Sequence, residues 1–361
     1  MGPKANQTVS VDSSVFSEAF TVLLERRNLS AAAMRAVFEC MLSGEWGEVE
    51  TTAFLVSLRW KGETAEELAA AAETLRQHMV CFDAGNDGVL DTCGTGGDGS
   101  GTFNISTAAA LVAAGAGVPV VKHGNRAQSG RSGSADVLAA LGVDIEGPAI
   151  GTRQCLEQIG LAFCLAPRFH PVLKQVAAIR RRLGVYTLFN CLGPLANPAG
   201  AAHQLIGVGR MDWLDRMAEA LVRLKTKHTL LVCGRDGLDE VSLCSPTLVR
   251  EVRDGRIRAY DWTPDAFGLP PCRLEELRAR GPDDSAARIH AILSGVGGAA
   301  TDVVIANAAA ALLAADRVAD LREGVELAVD SLRSGRALAV LRRLVAFSRD
   351  SGVNTAPHLI E

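Results

Sequence analysis

Glycines at 94, 96, 97, 99 and 101 crowd one turn of this chain, and the stretch runs on through Asn104, Ile105, Ser106 and Thr107 into an alanine-rich segment. Glycine tolerates positive φ and lets backbone N–H groups close in on a bulky anion. An amide and hydroxyls at a helix start add unpaired donors at the positive end of the helix dipole. Asp98 and Thr102 sit within the same turn. Further on come Lys122, His123, Gly124, Asn125 and Arg126, then Ala127, Gln128, Ser129, Gly130, Arg131, Ser132, Gly133 and Ser134 before another helix over 135–141. This reads as a second phosphate loop. Two such loops side by side suit a ligand carrying phosphate at both ends, whereas a mononucleotide needs only one.

Asp239 and Glu240 follow Gly237 in a loop. Adjacent acids often mark nothing more than solvated surface. Beside a polyphosphate, the same pair suits Mg²⁺, which takes one or two carboxylates together with phosphate oxygens and water. Arg180, Arg181 and Arg182 are consecutive on a predicted helix over 172–183, so they point in three directions and most of the cluster is surface. His170 precedes that helix, where a histidine can serve as a cap.

These residues need elements to hold them. Strand candidates at 89–92, 118–121, 162–165, 205–208 and 229–233 alternate with helical stretches, which predicts an α/β domain with a mostly parallel sheet. Ligands of such sheets bind outside the carboxyl ends of the strands, where both phosphate loops fall. A hairpin is expected over 251–261 about Asp254–Gly255, and helices from Arg273 to about Phe347. Ahead of the sheet, 13–79 has helical periodicity throughout, with Ser30 as an N-cap, Gly44 as a stop and Thr64 with Glu67 as a capping box. Residues 1–11 read as a disordered tail, and 171–196 as helix, loop and helix within the α/β region.

A chain of 361 residues with 48% hydrophobic content supports a sizeable core. Its net charge of −4 gives no footprint for nucleic acid or an anionic membrane. The nine cysteines lack CxxC spacing, which argues against a zinc site or a disulfide framework. The polar N-terminus has no signal-peptide pattern, and the weakly polar run 108–121 is too short and glycine-broken to span a bilayer. A soluble protein of the reducing cytoplasm is expected.

GTGGD at 94–98, NIST at 104–107, KHGNR at 122–126, SGSADVLAALG at 132–142, APRFHP at 166–171, FNCLGPLANP at 189–198 and DGLDE at 236–240 together resemble the signature set of the anthranilate phosphoribosyltransferases. The resemblance covers nearly the whole chain beyond its N-terminal tail. It implies a fold like that of nucleoside phosphorylases and phosphoribosyltransferases: a helical domain over 12–84 joined by 171–198, and an α/β domain over 85–170 and 199–361. It also implies transfer of the phosphoribosyl group of phosphoribosyl pyrophosphate (PRPP) to the amino group of anthranilate.

By the same resemblance, two Mg²⁺ ions per subunit would be held by Asp239, Glu240 and Ser106. PRPP would lie along Gly94, Gly97, Asp98, Thr102 and 104–107, and along 122–130 with Ser134. Anthranilate would meet Gly94, Asn125 and Arg180, with His170 lining its tunnel or acting only as the cap. His123 either polarises the amine or packs with a hydrogen bond, and packing is favoured. Asn307, at the head of an alanine-rich helix, is expected to be structural. A homodimer through the helical domain is expected, with no nucleic-acid or membrane partner. Gly130 and Tyr186 depart from common family residues, and Tyr186 is expected to matter little. Two rivals remain: a pyrimidine nucleoside phosphorylase, which needs a single phosphate site, and a non-catalytic nucleic-acid-binding relative, which needs a basic stripe.

Overall fold

The computed structural model describes residues 13–85, 88–127, 132–146 and 153–350. The expected tail at 1–11, and Gln128, Ser129, Gly130 and Arg131 of the second loop, lie outside the described residues.

Four helices come first: α1 (Ser13–Leu24), α2 (Ala31–Ser43), α3 (Glu48–Lys61) and α4 (Ala65–Gln77). Their boundaries follow from side chains that satisfy terminal N–H groups. Ser30 Oγ accepts from Ala33 N–H, and Gly44 closes α2 at φ 80°. At α4, Thr64 Oγ1 accepts from Glu67 N–H (3.2 Å) while Glu67 Oε2 accepts from Thr64 N–H (2.8 Å). Glu67 is buried, and also accepts from Leu29 N–H (2.8 Å) and Lys61 Nζ (2.7 Å). One carboxylate therefore ties the α1–α2 connection, α3 and α4 together, and its removal would strand Lys61 in the interior.

A seven-stranded sheet follows, formed by β1 (Leu90–Gly94), β2 (Val120–Gly124), β3 (Leu161–Leu165), β4 (His203–Gly207), β5 (His228–Gly234), β6 (Thr247–Arg253) and β7 (Arg256–Trp262). The spatial order is β3-β2-β1-β4-β5-β6-β7. The first five strands run parallel, and β6 and β7 are antiparallel. All five strands expected from the sequence are present. The hairpin is longer than expected, and turns at Asp254 (φ 49°) and Gly255 (φ 72°), the pair of positive φ angles that a two-residue hairpin requires.

One boundary corrects the sequence reading in a way that affects the site. Lys122, His123 and Gly124 are the end of β2 rather than a loop, paired with Phe163, Cys164 and Leu165 of β3. Polar residues suggested a loop, yet Lys122 and His123 are buried and find polar partners inside, so the ladder continues through them.

Helices cover both faces of the sheet. On one face lie α5 (Ile105–Gly115), α6 (Ser134–Ala140), α7 (Arg153–Ile159) and the C-terminal helices Ala299–Ala314, Leu321–Arg333 and Arg336–Arg349. After β3 come α8 (Ala166–Phe169), a 3₁₀ turn at Pro171–Leu173, α9 (Lys174–Leu183) and α10 (Leu188–Leu195). Here α9 packs on α2 and α3, and α10 packs on α4. The second core joins α1–α4 and α10 to α11 (Leu214–Arg223) and to sheet residues such as Ile206 and Leu231. The helical unit thus shares its hydrophobic core with the other face of the sheet. No helix among the described residues is long and apolar enough to cross a membrane.

Candidate active site

A cleft of about 700 Å³ opens where β1, β2 and the β5–β6 connection end, with α9 and α10 forming its opposite wall. Gly94, Gly97, Asp98, Thr102, Asn104, Ser106, Lys122, His123, Gly124, Asn125, Arg126, Ala127, Ser134, His170, Arg180, Asp239 and Glu240 all line it. Ile105 and Thr107 do not, because both are buried in the first turn of α5.

The floor is built by hydrogen bonds between segments far apart in sequence. Asp239 Oδ2 accepts from Gly96 N–H at 3.0 Å, and Glu240 Oε1 accepts from Ser106 N–H at 3.0 Å. The acidic loop therefore touches the glycine turn and the start of α5 at once. Close approach requires glycine on both neighbouring strands. A Cβ at Gly94 would lie 2.9 Å from Asp239 Oδ2, and one at Gly207 would overlap the Asp239 carbonyl oxygen. Asn307 fixes the far end of this loop, accepting from Val241 N–H (2.9 Å) and donating to the Val241 carbonyl (2.9 Å). It does so from the interior of Ala299–Ala314 rather than from its head.

Negative charge accumulates here. Asp239 and Glu240 open onto the cleft but are otherwise enclosed. Burial, with repulsion from Asp98 and Glu240, holds the Asp239 carboxyl well above the usual range. Burial likewise raises Glu240, against the attraction of Lys122. Asp98 Oδ2 is buried with no hydrogen-bond partner. Three oxygen-bearing acids crowded together, two of them disfavouring ionisation and the third with an unused buried oxygen, make a donor set that fits a hard divalent cation. Lys122 offsets part of the charge from beneath. Its ammonium donates to the Thr92 carbonyl and to Ser106 Oγ (3.3 Å), and burial lowers its pKa while Asp91 raises it.

The second loop is held by an acid that sequence reasoning did not single out. Asp136 Oδ2 accepts from Ala127 N–H (2.8 Å) and Gly133 N–H (3.0 Å). Arg126, largely exposed, reaches Asp136 (3.3 Å) and Glu146 (2.8 Å). Asn104 spans the loops, donating from Nδ2 to Ser132 Oγ at 3.2 Å. The sequence signal for Asp136 was the acid three residues into a helix that starts at Gly133.

Across the cleft from the glycine turn, the Arg180 guanidinium lies 5.0 Å from the centre of the Phe189 ring. It has no carboxylate within 4.0 Å among the described residues, and burial lowers it to about 10. A half-buried cation without an acid partner, stacked on an aromatic face, is suited to an incoming carboxylate. Arg182 instead pairs with Glu48 on the surface. His123 and His170 lie between the two halves, rings 5.0 Å apart. His123 Nδ1 meets the Gly193 carbonyl at 3.1 Å, leaving Nε2 buried and unpartnered. Burial lowers His123 to about 3 and His170 to about 4, so both are neutral at pH 7 and weak as bases.

Tyr186, expected to matter little, sits beneath the glycine turn. A Cβ at Gly97 would be 3.2 Å from its ring, which also lies 5.9 Å from the Trp213 ring. Away from the cleft, at the amino ends of β4 and β5, His203, His228 and Asp316 cluster. There the buried His228 faces Glu251 (3.1 Å) and the exposed Asp316 (2.8 Å).

Residues 17–79 match the family model described as glycosyl transferase family, helical bundle domain, and 86–338 match that of the a/b domain. The chain is 49% identical over 337 residues to an anthranilate phosphoribosyltransferase of Anaeromyxobacter sp. strain Fw109-5, covering 93% of this chain and 99% of the relative. Its structure is similar to that of anthranilate phosphoribosyltransferase from Thermus thermophilus, with TM-score 0.86, 42% identity, and 92% and 99% of the two chains covered. The enzyme from Saccharomyces cerevisiae in complex with PRPP and Mg is similar at TM-score 0.86 and 28% identity, with 94% and 99% covered.

Proposed function

This chain belongs to the anthranilate phosphoribosyltransferase family, and from that membership we propose that its cleft transfers the 5-phosphoribosyl group of PRPP to the amino group of anthranilate. The products are N-(5-phosphoribosyl)anthranilate and pyrophosphate, a step of tryptophan biosynthesis. The observation that supports the reading is the joint of Asp239 to Gly96 and of Glu240 to Ser106, which sets the acidic pair against the glycine turn and the start of α5.

PRPP is assigned to the glycine turn 94–99, the start of α5 and the loop after β2. Lys122 and the backbone donors face the charge that grows on the departing pyrophosphate. Asp239, Glu240 and the Ser106 hydroxyl are the proposed Mg²⁺ holders, two ions per subunit, with Asp98 beside them. When bound, Mg²⁺ supplies neutralisation of pyrophosphate charge. Anthranilate is assigned to the opposite wall, its carboxylate on Arg180 and its amine toward Asn125 and Gly94.

An aromatic amine is neutral at pH 7. Its nitrogen forms the new bond to the anomeric carbon as the bond to pyrophosphate breaks, with inversion, and its surplus proton leaves to water or pyrophosphate. Placement therefore does most of the work. His123 and His170 contribute shape and neutrality, since burial makes both poor proton acceptors. Sugar charge of oxocarbenium type would be favoured by the nearby acids.

The helical unit at 12–84 with 171–198, and the α/β body at 85–170 and 199–361, are the proposed domains. The cleft lies between them, so closure can shape it. A homodimer through the helical unit is supported by Val49, Val56 and Trp60, which lie along one side of α3 and are exposed, with Leu24 of α1. Location in the cytoplasm is in keeping with nine free cysteines. No observation favours phosphorolysis or nucleic-acid binding.

The direct test is loss of anthranilate fluorescence on mixing with PRPP and Mg²⁺. Fluorescence that persists under these conditions, with folded protein, would remove the assignment.

A further inference from the structure

Cys244 and Cys272 are partly exposed, and their sulfurs lie 3.4 Å apart. Of the remaining seven cysteines, six are buried and Cys81 is exposed. We propose that Cys244 and Cys272 form a reversible disulfide that locks the acidic loop of the active site to the segment bracing the glycine turn.

The positions give the bond its reach. Cys244 lies four residues beyond Glu240, on a connection already stiffened by hydrogen bonds. Ser242 Oγ donates to Asp236 Oδ2 (2.7 Å), Cys244 N–H donates to Ser242 Oγ (2.9 Å), and Asn307 holds Val241. Cys272 N–H already donates to the Leu243 carbonyl at 3.1 Å. Shortly after Cys272, the Leu277 carbonyl accepts from Phe103 N–H and Ala279 N–H donates to the Gly101 carbonyl, both at 2.9 Å. The segment 272–279 thus touches the acidic loop at one end and the glycine turn at the other. A bond between the sulfurs would convert one end of that brace from a hydrogen bond into a covalent link. The sulfurs must close from 3.4 Å to a bonding distance of about 2.05 Å, and the hydrogen bond from Cys272 N–H to the Leu243 carbonyl already holds the two backbones side by side.

The reaction needs a disulfide oxidant, here a small one such as oxidised glutathione. The Cys244 thiolate attacks one of its sulfurs, its S–S bond breaks, and one small thiolate leaves. The Cys272 thiolate then attacks the Cys244 sulfur of the mixed disulfide, expelling the second. Two protein thiols are oxidised, one small disulfide is reduced to two thiols, and the two protons pass to those thiols. Burial raises both cysteines, Cys272 to about 12, so exchange is slow near neutrality and quickens as pH rises.

The test treats the reduced full chain with oxidised glutathione at pH 8, then counts alkylatable thiols after denaturation and maps cross-linked peptides. The expected result is a fall from nine thiols to seven, a 244–272 cross-link, and recovery on reduction. Hydrogen exchange of the 241–245 amides should slow by about tenfold or more in the oxidised form, and Cys244→Ser should lose both effects. Oxidation confined to Cys81, a mixed disulfide that never resolves, or a 244–272 bond that leaves exchange unchanged would each overturn the proposal. The cross-link and exchange readings on the natural chain stand even if the variant misfolds, and none depends on the transferase activity.

Discussion

The Ser106 backbone N–H donates to Glu240 Oε1 at 3.0 Å, joining the first turn of α5 to the acidic loop after β5. A helix start that attracts anions is here occupied by a carboxylate, which a bound cation would bridge to a phosphate. Glu240→Gln keeps an acceptor for Ser106 but removes the charge. Its kcat/KM at saturating Mg²⁺ should fall by about 10²-fold or more, measured by anthranilate fluorescence. In the metal-free protein the same change should raise the melting temperature at pH 8. A carboxyl raised by folding contributes stability at low pH and loses it as pH rises through the folded pKa, so replacing it removes that penalty.

Gly94 and Gly207 predict opposite kinds of failure. A Cβ at Gly94 meets only the end of the Asp239 side chain, which can swing aside, while one at Gly207 meets the Asp239 backbone. Gly94→Ala should therefore fold with little change in melting temperature yet raise the KM for PRPP about tenfold, through loss of the bond from Gly96 N–H to Asp239. Gly207→Ala should be strongly destabilised, by several kcal/mol on the scale of core overpacking, and expression with thermal melting separates the two.

Arg180 is stacked on Phe189 and has no acid partner within reach among the described residues. Arg180→Ala should raise the KM for anthranilate about 10–100-fold, the range expected for a lost charged hydrogen bond, while the KM for PRPP stays within about twofold. Arg180→Lys should recover little, because an ammonium cannot grip a carboxylate in two places. Steady-state kinetics varying each substrate in turn check both statements.

Much of this was legible in the residues, and the exceptions have physical causes. The alternation of apolar runs with glycine-rich turns announced the parallel sheet, and the capping chemistry at Ser30 and Thr64 announced α2 and α4. The end of β2 was misplaced because Lys122 and His123 are polar. Their partners, the Thr92 and Gly193 carbonyls, come from other segments that no local pattern brings near. Asp136 and Asn307 were hard to weigh for the same reason: each serves a loop whose approach depends on the tertiary fold. The contact of Tyr186 with Gly97 was not visible for the same reason, since the two are distant in sequence.

His123 and His170 predict a pH effect on stability with a definite sign. Both are lowered by burial, so the unfolded chain binds more protons below about pH 6.5. Their contribution is intact above pH 6.5 and is lost as pH falls toward 4, amounting to about 2 kcal/mol per histidine at pH 5. Asp239 and Glu240, being raised, act in the opposite direction. The histidine part is therefore read as the difference between the natural chain and the His123→Gln, His170→Gln variant in melting experiments at pH 7.5 and 5. The variant should lose less stability on acidification.

The central claim is that the glycine turn and the acidic pair grip one ligand through a shared cation. Calorimetric titration of PRPP into the protein, with and without Mg²⁺, tests this most directly. Binding should require Mg²⁺ in the natural chain and disappear in the Asp239→Asn, Glu240→Gln variant, even though that variant remains folded. Equal affinity for PRPP without Mg²⁺, or unchanged Mg²⁺-dependent binding in the variant, would contradict it.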